Sequence, residues 1–509
     1  MARPSSALVF ASFALIAVFA VPNKLSRTPP LGWMSWQAFR CDVDCADYPS
    51  ECISETLYRG QADALVASGL AAAGYNTIHL DDCILDKAGR DNVTHELRAD
   101  PVRFPSGFKA LADYLHAKNL AFGFYTAESS TTCGGWPGSA GYEALDAQTF
   151  ASWGVDYLKA DGCGPADYYP VGYPALGTAL QASGRDIIYS CSWPAYLGDD
   201  ESAKPFASFI AAGCNLWRNY IDMGPTTGYL QGIIEHFGNY SEVLSLWAGP
   251  GHFHDADMLL VGVDAISIDA QAAQLAIYAV LAVPLILGND LRLLSAASLA
   301  LLLNPDVLAI SQDSAGRAGV RLGGSAALNA PLQTWLRPLA NGDVAVVLYN
   351  RGEPGAHPWH SACAPLNATV GGYFAPSAAI PQPTSWCGAA LGQSLMDWYC
   401  CNTDDCAGYN FSSATNSGCL FKDVSGGFVA ADAATTGYTK QAFVPPTGAP
   451  ADMTLSFADV GLFAGSHIQV YDVWQQRVIM TTTNATITVP AVPWQGAAFL
   501  RLSTIAQGK

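Results

Sequence analysis

Residues 21–315 are predicted to fold as a (β/α)8 TIM barrel, an α/β class. Residues 316–509 are predicted to form an antiparallel β-sandwich domain. Three observations predict this. Up to about residue 315, short apolar runs of strand length alternate with amphipathic, Ala-rich runs of helix length. Polar and aromatic residues follow directly on nearly every strand. Beyond about Gly316 the helical pattern stops, and β-rich runs alternate with Gly/Pro turns.

The elements follow in order. Residues 1–20 read as a signal peptide. Arg3 gives the basic start, Leu8 to Ala20 an apolar core, and Val18-Phe-Ala20 a small-residue end suited to cleavage. The run is too short to span a bilayer comfortably. Strands are expected at 31–36, 75–80, 121–125, 155–159, 186–190, 215–220, 256–260 and 284–287. Helices are expected at 54–68, 107–118, 144–153, 171–183, 227–237, 268–283 and 296–303. Read together, eight strands alternating with these seven helical stretches follow the strand and helix order of a (β/α)8 barrel. A doubly wound sheet would place a Gly-rich phosphate loop after its first strand. Trp33-Met-Ser-Trp36 stands there instead. The second long apolar run, 272–287, contains Pro284 and reads as a buried helix passing into a strand, with no membrane span.

In the C-terminal part, 344–349, 467–471 and 478–481 are the clearest strands. Between about 354 and 446 lies a Cys-, Gly- and Pro-rich insertion with Cys363, Cys387, Cys400, Cys401, Cys406 and Cys419. Six cysteines allow fifteen pairings, and sequence does not choose among them. A disulfide-pinned surface excursion is expected.

Half of the residues are hydrophobic and 13% are charged, so large cores can form. The net charge of −18 argues against nucleic acid and anionic membrane surfaces as partners. Fourteen cysteines behind a signal peptide imply disulfides. Sequons at Asn92, Asn239, Asn367, Asn410 and Asn484 agree with the secretory route. No cysteine pairs stand at zinc-finger spacing, and no metal or cofactor constellation is seen.

The chemistry gathers at Val155 to Cys163. Lys159 and Asp161 lie two apart and project to one face of a strand. An ammonium beside a carboxylate favours its ionised form. Such a carboxylate at a strand end suits a glycosidase nucleophile. Other strand ends carry Trp36, Asp81, Asp82, Tyr125, Ser192, Trp193, Arg218, Asp255 and Asp257. In a barrel these ends meet at one rim, where active sites form.

Six motifs occur in order: Arg27-Thr-Pro-Pro-Leu-Gly-Trp-Met-Ser-Trp36, Asp81-Asp-Cys83, Lys159-Ala-Asp-Gly-Cys163, Cys191-Ser-Trp-Pro-Ala-Tyr196, Trp217-Arg-Asn-Tyr220 and Ala248-Gly-Pro-Gly-His-Phe-His-Asp-Ala-Asp-Met258. Together they resemble glycoside hydrolase family 27, the α-galactosidases and α-N-acetylgalactosaminidases. The likeness covers roughly residues 25–320 closely and the sandwich loosely. It implies a retaining mechanism with Asp161 as nucleophile and Asp255 as acid/base, their carboxyls about 5–5.5 Å apart. The local pattern does not separate Asp255 from Asp257; the family match favours Asp255. His254 and Ala256 stand where the family pattern has Asn and Pro.

The resemblance further implies that Trp36, Asp81, Asp82 and Lys159 hold the galactose O4 and O6 hydroxyls. Tyr125 would line the pocket, and Arg218 would contact the C2 substituent. In Cys191-Ser-Trp-Pro-Ala-Tyr196, Ser192 and Ala195 replace the larger Glu and Leu of plain-galactose relatives. That leaves room for an N-acetyl group and resembles the α-N-acetylgalactosaminidase branch. Tyr196 completes this substrate-binding motif. Small pocket residues admit galactosides too, since a methyl-sized gap costs only about 1–3 kcal/mol. A strict α-galactosidase is the alternative reading, and a non-catalytic galactose-binding protein a further one. The family suggests bridges Cys41–Cys83, Cys45–Cys52, Cys133–Cys163 and Cys191–Cys214. It implies α-galactosyl or α-N-acetylgalactosaminyl glycans as partners, a homodimer, no cofactor, and a secreted or lysosomal/vacuolar location.

Overall fold

A computed structural model describes residues 24–352 and 448–505, residue 464 excepted, and the backbone of short strands within 367–439. Residues 1–20, the expected signal peptide, lie outside it, as do the side chains of the six insertion cysteines and of Asn367 and Asn410.

Eight parallel strands form one sheet: β1 (Leu31–Met34), β2 (Thr77–His79), β3 (Ala121–Ala127), β4 (Tyr157–Asp161), β5 (Ile188–Cys191), β6 (Leu216–Arg218), β7 (Phe253–Asp255) and β8 (Leu285–Leu287). Their order is β7-β6-β5-β4-β3-β2-β1-β8. A parallel bridge between Leu259, just past β7, and Leu287 of β8 closes the ring. The Leu259 N–H donates to the Ile286 carbonyl at 2.7 Å. All eight strands therefore end at one rim, as the barrel reading requires.

Two expectations shift. The seventh strand was expected at 256–260; it lies at Phe253–Asp255. Asp257 adopts φ +70, which breaks an extended run before the apolar Met258-Leu-Leu260. Asp255 thus ends its strand, in register with Arg218 of β6. The second shift is a helix that the apolar pattern did not mark, Phe206–Ala211, between β5 and β6. The apolar run 272–287 divides as expected. Helix Ile268–Leu281 stops at Ala282, which is left-handed, and β8 follows. Among the described residues no helix is long and apolar enough to cross a membrane.

His79 of β2 shows how tightly the barrel is filled. A Cβ on Gly123 of β3 would lie 2.3 Å from its Nδ1, and one on Gly32 of β1 would lie 3.1 Å from its Nε2. The ring meets Tyr157 edge-on, with centroids 4.3 Å apart. Burial, then Lys159, pushes its pKa down to about 3, so it is a neutral core imidazole.

Past the barrel, β9 (Val320–Arg321), β10 (Leu332–Pro338) and β11 (Val344–Asn350) join strands Ala497–Ile505, His467–Asp472 and Arg477–Thr482 in a six-stranded sheet. Ala451–Ser456 pairs antiparallel with Thr486–Val492 in a second, smaller sheet. Alternate residues Val344, Val346 and Leu348 join Met453, Leu455 and Ile487 in one core, the period-2 signature of a sandwich. The sandwich is tied to the barrel. Arg337, fully buried, donates to the carbonyls of Ala279 (2.7 Å) and Ile310 (2.6 Å) near the C-termini of two helices, where a cation is favoured. The Tyr471 hydroxyl donates to Asp306 at 2.8 Å. Residues 352–448, with 224–231, form a separate compact unit. Its five-stranded sheet sets the backbone of Cys387 opposite that of Cys419.

Two glycine substitutions should behave oppositely. Gly123→Ala forces a Cβ into His79 and should cost about 1–3 kcal/mol. Gly60→Ala, in helix Glu55–Ala67 with nothing near its added Cβ, should gain about 0.5–1 kcal/mol. Urea unfolding of both variants checks the pair.

Candidate active site

β4 supplies the centre. Lys159 and Asp161 alternate with buried Leu158 and Ala160, so both reach the inner face and rim. Lys159 acts on Asp161 through charge, while its direct partner is Asp81. The Lys159 Nζ pairs with Asp81 Oδ2 at 2.8 Å, both side chains being buried. Burial pulls the Lys159 pKa down, but Asp81 and then Asp161 outweigh it and raise it well above the usual range. Lys159 therefore acts on Asp161 by charge and touches Asp81.

Two phenols hold Asp161. The Tyr125 hydroxyl donates to Oδ2 at 3.1 Å and the Tyr196 hydroxyl to Oδ1 at 3.0 Å. Burial, then the Asp161 charge, raises both phenol pKa values, so both keep their protons. Lys159 also lies over the Tyr125 ring, 5.1 Å from its centroid.

Asp82 is heavily used by the protein itself. It accepts from Thr132 Oγ1 at 2.7 Å, from the Cys83 N–H at 2.6 Å and from the Gly134 N–H at 2.7 Å. It anchors the loop after β3, a task that its sequence position did not announce. Trp36 packs beside Met34, Met258 and Ile286, and the Arg40 guanidinium lies 5.5 Å from its ring. After β5, the Ser192 hydroxyl is buried with no hydrogen-bond partner among the described residues. Ala195 is partly exposed beside it, and Tyr196 is exposed.

Arg218, at the end of β6, is a buried hub. Its Nη1 meets Asp257 Oδ1 at 3.0 Å and its Nη2 meets Asp222 Oδ1 at 3.1 Å. Asp257 Oδ2 takes the Met223 N–H at 2.6 Å. Asp257 is thus committed to holding the loop after β6. Asp255 takes the Asp257 N–H at 2.8 Å. Burial pushes the Asp255 pKa up, as does Asp257, against the pull of Arg218 and Lys159. The Asp255 charge acts on the core rings of Tyr157 and Tyr278.

Sequence reasoning missed Asp222. Its side chain is 69% exposed while it touches buried Arg218. Its charge acts on Lys159 and on Tyr196, two of the groups that also engage Asp161. Burial raises its pKa, but Arg218, Lys159 and Arg40 outweigh this and lower it. The signal was present: Asp222 lies four residues after Arg218, just past the Trp217-Arg-Asn-Tyr220 motif.

His254, next to Asp255, points away from the rim. The Trp217 Nε1–H donates to its Nδ1 at 2.8 Å, and its Nε2 lies 2.8 Å from the Leu244 carbonyl. Burial pushes its pKa down to about 4, so it is neutral and Nε2 carries the proton. The four expected bridges join the expected cysteines, and Cys133–Cys163 ties the loop after β3 to the residues just past Asp161.

With this rim in view, the relatives can be placed. A family model described as alpha galactosidase A matches residues 28–313. The chain belongs to this family, glycoside hydrolase family 27. Human α-N-acetylgalactosaminidase is 40% identical over 354 residues, spanning 69% of this chain and 84% of its own. Human α-galactosidase A is 40% identical over 354 residues, spanning 68% and 80%. The solved α-galactosidase I of Mortierella vinacea shares the fold, with TM-score 0.67 and 24% identity, over 96% of this chain and 100% of its own. As a member of this family the chain is a glycosidase.

The Lys159–Asp81 pair gives a direct test. Lys159→Met leaves Asp81 buried and unpaired, which should cost about 3–5 kcal/mol. Burial already raises the Asp81 pKa, and losing Lys159 raises it further. The variant should therefore be stabler in acid and lose stability as pH rises through that raised pKa. Urea unfolding of parent and variant at acidic and neutral pH reads both effects.

Proposed function

We propose that the chain is a retaining exo-glycosidase. It would remove terminal α-linked N-acetylgalactosamine, and galactose less readily, from glycoconjugates. The observation that carries this is the Asp161 carboxylate, held by Tyr125 and Tyr196 at a rim also lined by Asp81, Lys159 and Arg218. Asp161 attacks the anomeric carbon as the leaving oxygen departs and takes a proton. The residue that gave the proton then removes one from water, and the resulting hydroxide displaces Asp161.

For that proton-carrying role Asp222 is the better placed acid, in preference to the expected Asp255. The leaving group and the incoming water both arrive from solvent, and Asp222 is open to it. Asp222 also acts on Tyr196, which bonds Asp161, whereas Asp255 acts on the core rings below. In the free site Arg218, Lys159 and Arg40 hold the Asp222 pKa below the usual carboxylate value; a sugar covering the site would add desolvation, which acts in the opposite direction and favours the proton-bearing form. The second reading keeps Asp255 as the acid, and the observation favouring it is its raised pKa in the free site.

Trp36, Asp81, Asp82, Tyr125 and Lys159 would hold the galactose hydroxyls, with Arg218 and Tyr196 nearer C2. The unpartnered Ser192 hydroxyl is free to bond an acetamido group, and Ala195 leaves space for its methyl. The relatives' names carry both activities at equal identity, which supports a site that accepts either sugar. We further propose a homodimer in a secreted or lysosomal setting, where four disulfides are stable.

Both p-nitrophenyl sugars should be cleaved, the acetamido one faster. Ser192→Glu with Ala195→Leu should reverse the order, and no cleavage of the acetamido sugar by the parent would refute the preference. Asp161→Asn should abolish turnover of every leaving group. Asp222→Asn should lose about 10²–10⁴-fold on a poor leaving group and much less on an activated aryl one. If Asp255→Asn alone shows that leaving-group dependence, Asp255 is the acid.

A further inference from the structure

Glu128 follows directly on β3 and has no part in the chemistry above. Its N–H donates to the Asp161 carbonyl at 2.7 Å, extending the Ala127–Asp161 register of β3 and β4. Its side chain is fully buried, and among the described residues neither carboxyl oxygen has a hydrogen-bond partner. Helix Tyr169–Ala182 lies directly on it. A Cβ on Gly172 would come within 2.3 Å of Oε2.

The groups facing this carboxyl cannot neutralise an anion. From helix Glu143–Trp153 come Glu143 and Asp146. Tyr168 and Tyr173 face it from the next helix, and Tyr189 from β5. Asp146 is itself held by Arg90 in a two-pronged pair of 2.6 and 2.7 Å. Tyr168 is bonded to Glu143. Burial, then Glu143 and Asp146, pushes the Glu128 pKa up to about 8.

We propose that Glu128 is a positioning residue for the nucleophile, acting as a neutral acid that keeps the β3 end seated against the Asp161 carbonyl. The proposal rests on Asp161 as the nucleophile. A neutral carboxyl can stay in this apolar seat. A carboxylate there has no donor, and burying it unpaired is expensive, so it turns toward water. That movement pulls the Glu128 N–H from the Asp161 carbonyl and loosens the nucleophile's strand end. The sign follows from a folded pKa above the unfolded one. Stability is fully present below the unfolded value and is lost as pH rises through about 8.

The test is Glu128→Gln, whose amide copies the neutral acid. The alkaline fall of kcat should move up by about one pH unit or more relative to the parent, with KM changed less than about twofold. Coincident alkaline limbs overturn the proposal. A second measurement needs neither the variant nor turnover. Hydrogen exchange of the parent, corrected for intrinsic rate, should show residues 159–163 losing protection between about pH 6 and about pH 9. Constant protection there overturns the positioning role even if Glu128→Gln does not fold. Loss of protection with an Asp161→Asn variant that stays active would instead sink the nucleophile assignment and leave the Glu128 effect standing.

Discussion

The site depends on a charge balance. The barrel gathers Asp81, Asp82, Asp161, Asp222, Asp255 and Asp257 at or beside one rim, and sets two buried cations, Lys159 and Arg218, among them. Unpaired, such acids would repel one another and could not stay ionised in a buried site. Each cation is shared. Lys159 touches Asp81 and acts on Asp161; Arg218 touches Asp222 and Asp257 and acts on Asp255. The acids are thereby sorted by surroundings. Asp161 is left with two phenol donors and no committed cation, which suits a carboxylate that must form and break a bond.

That sorting explains why some site residues are structural in the free protein. Asp257 spends one oxygen on Arg218 and the other on the Met223 N–H, and Asp82 spends its oxygens on loop donors. They fix the loops that carry Asp222 and the Cys133–Cys163 bridge, so the rim is built before a sugar arrives.

Much of this was legible in the sequence, because barrel strands buried on both faces read as short apolar runs and their polar ends are separated by helical stretches. The Lys159 and Asp161 spacing placed both side chains on one face correctly. Their direct pairing did not follow, because Asp81, from a strand two places away in the sheet, competes for the ammonium and sequence spacing holds no such information. The seventh strand was misread because Met258-Leu-Leu260 is more apolar than Phe253-His-Asp255, and apolarity does not reveal the left-handed turn at Asp257. Asp222 was overlooked because it sits in a loop, not at a strand end. Only the folded Arg218 brings it to the rim. The buried Glu128 gave no signal at all, since an acid after a strand usually faces water.

The most direct measurement is covalent trapping. A fluorinated α-galactosyl reagent slows both displacement steps, so the glycosyl-enzyme accumulates and its labelled peptide can be mapped. The account predicts one sugar per chain, attached at Asp161. A label on another carboxylate, or no label while the ordinary substrate is still hydrolysed, would contradict it.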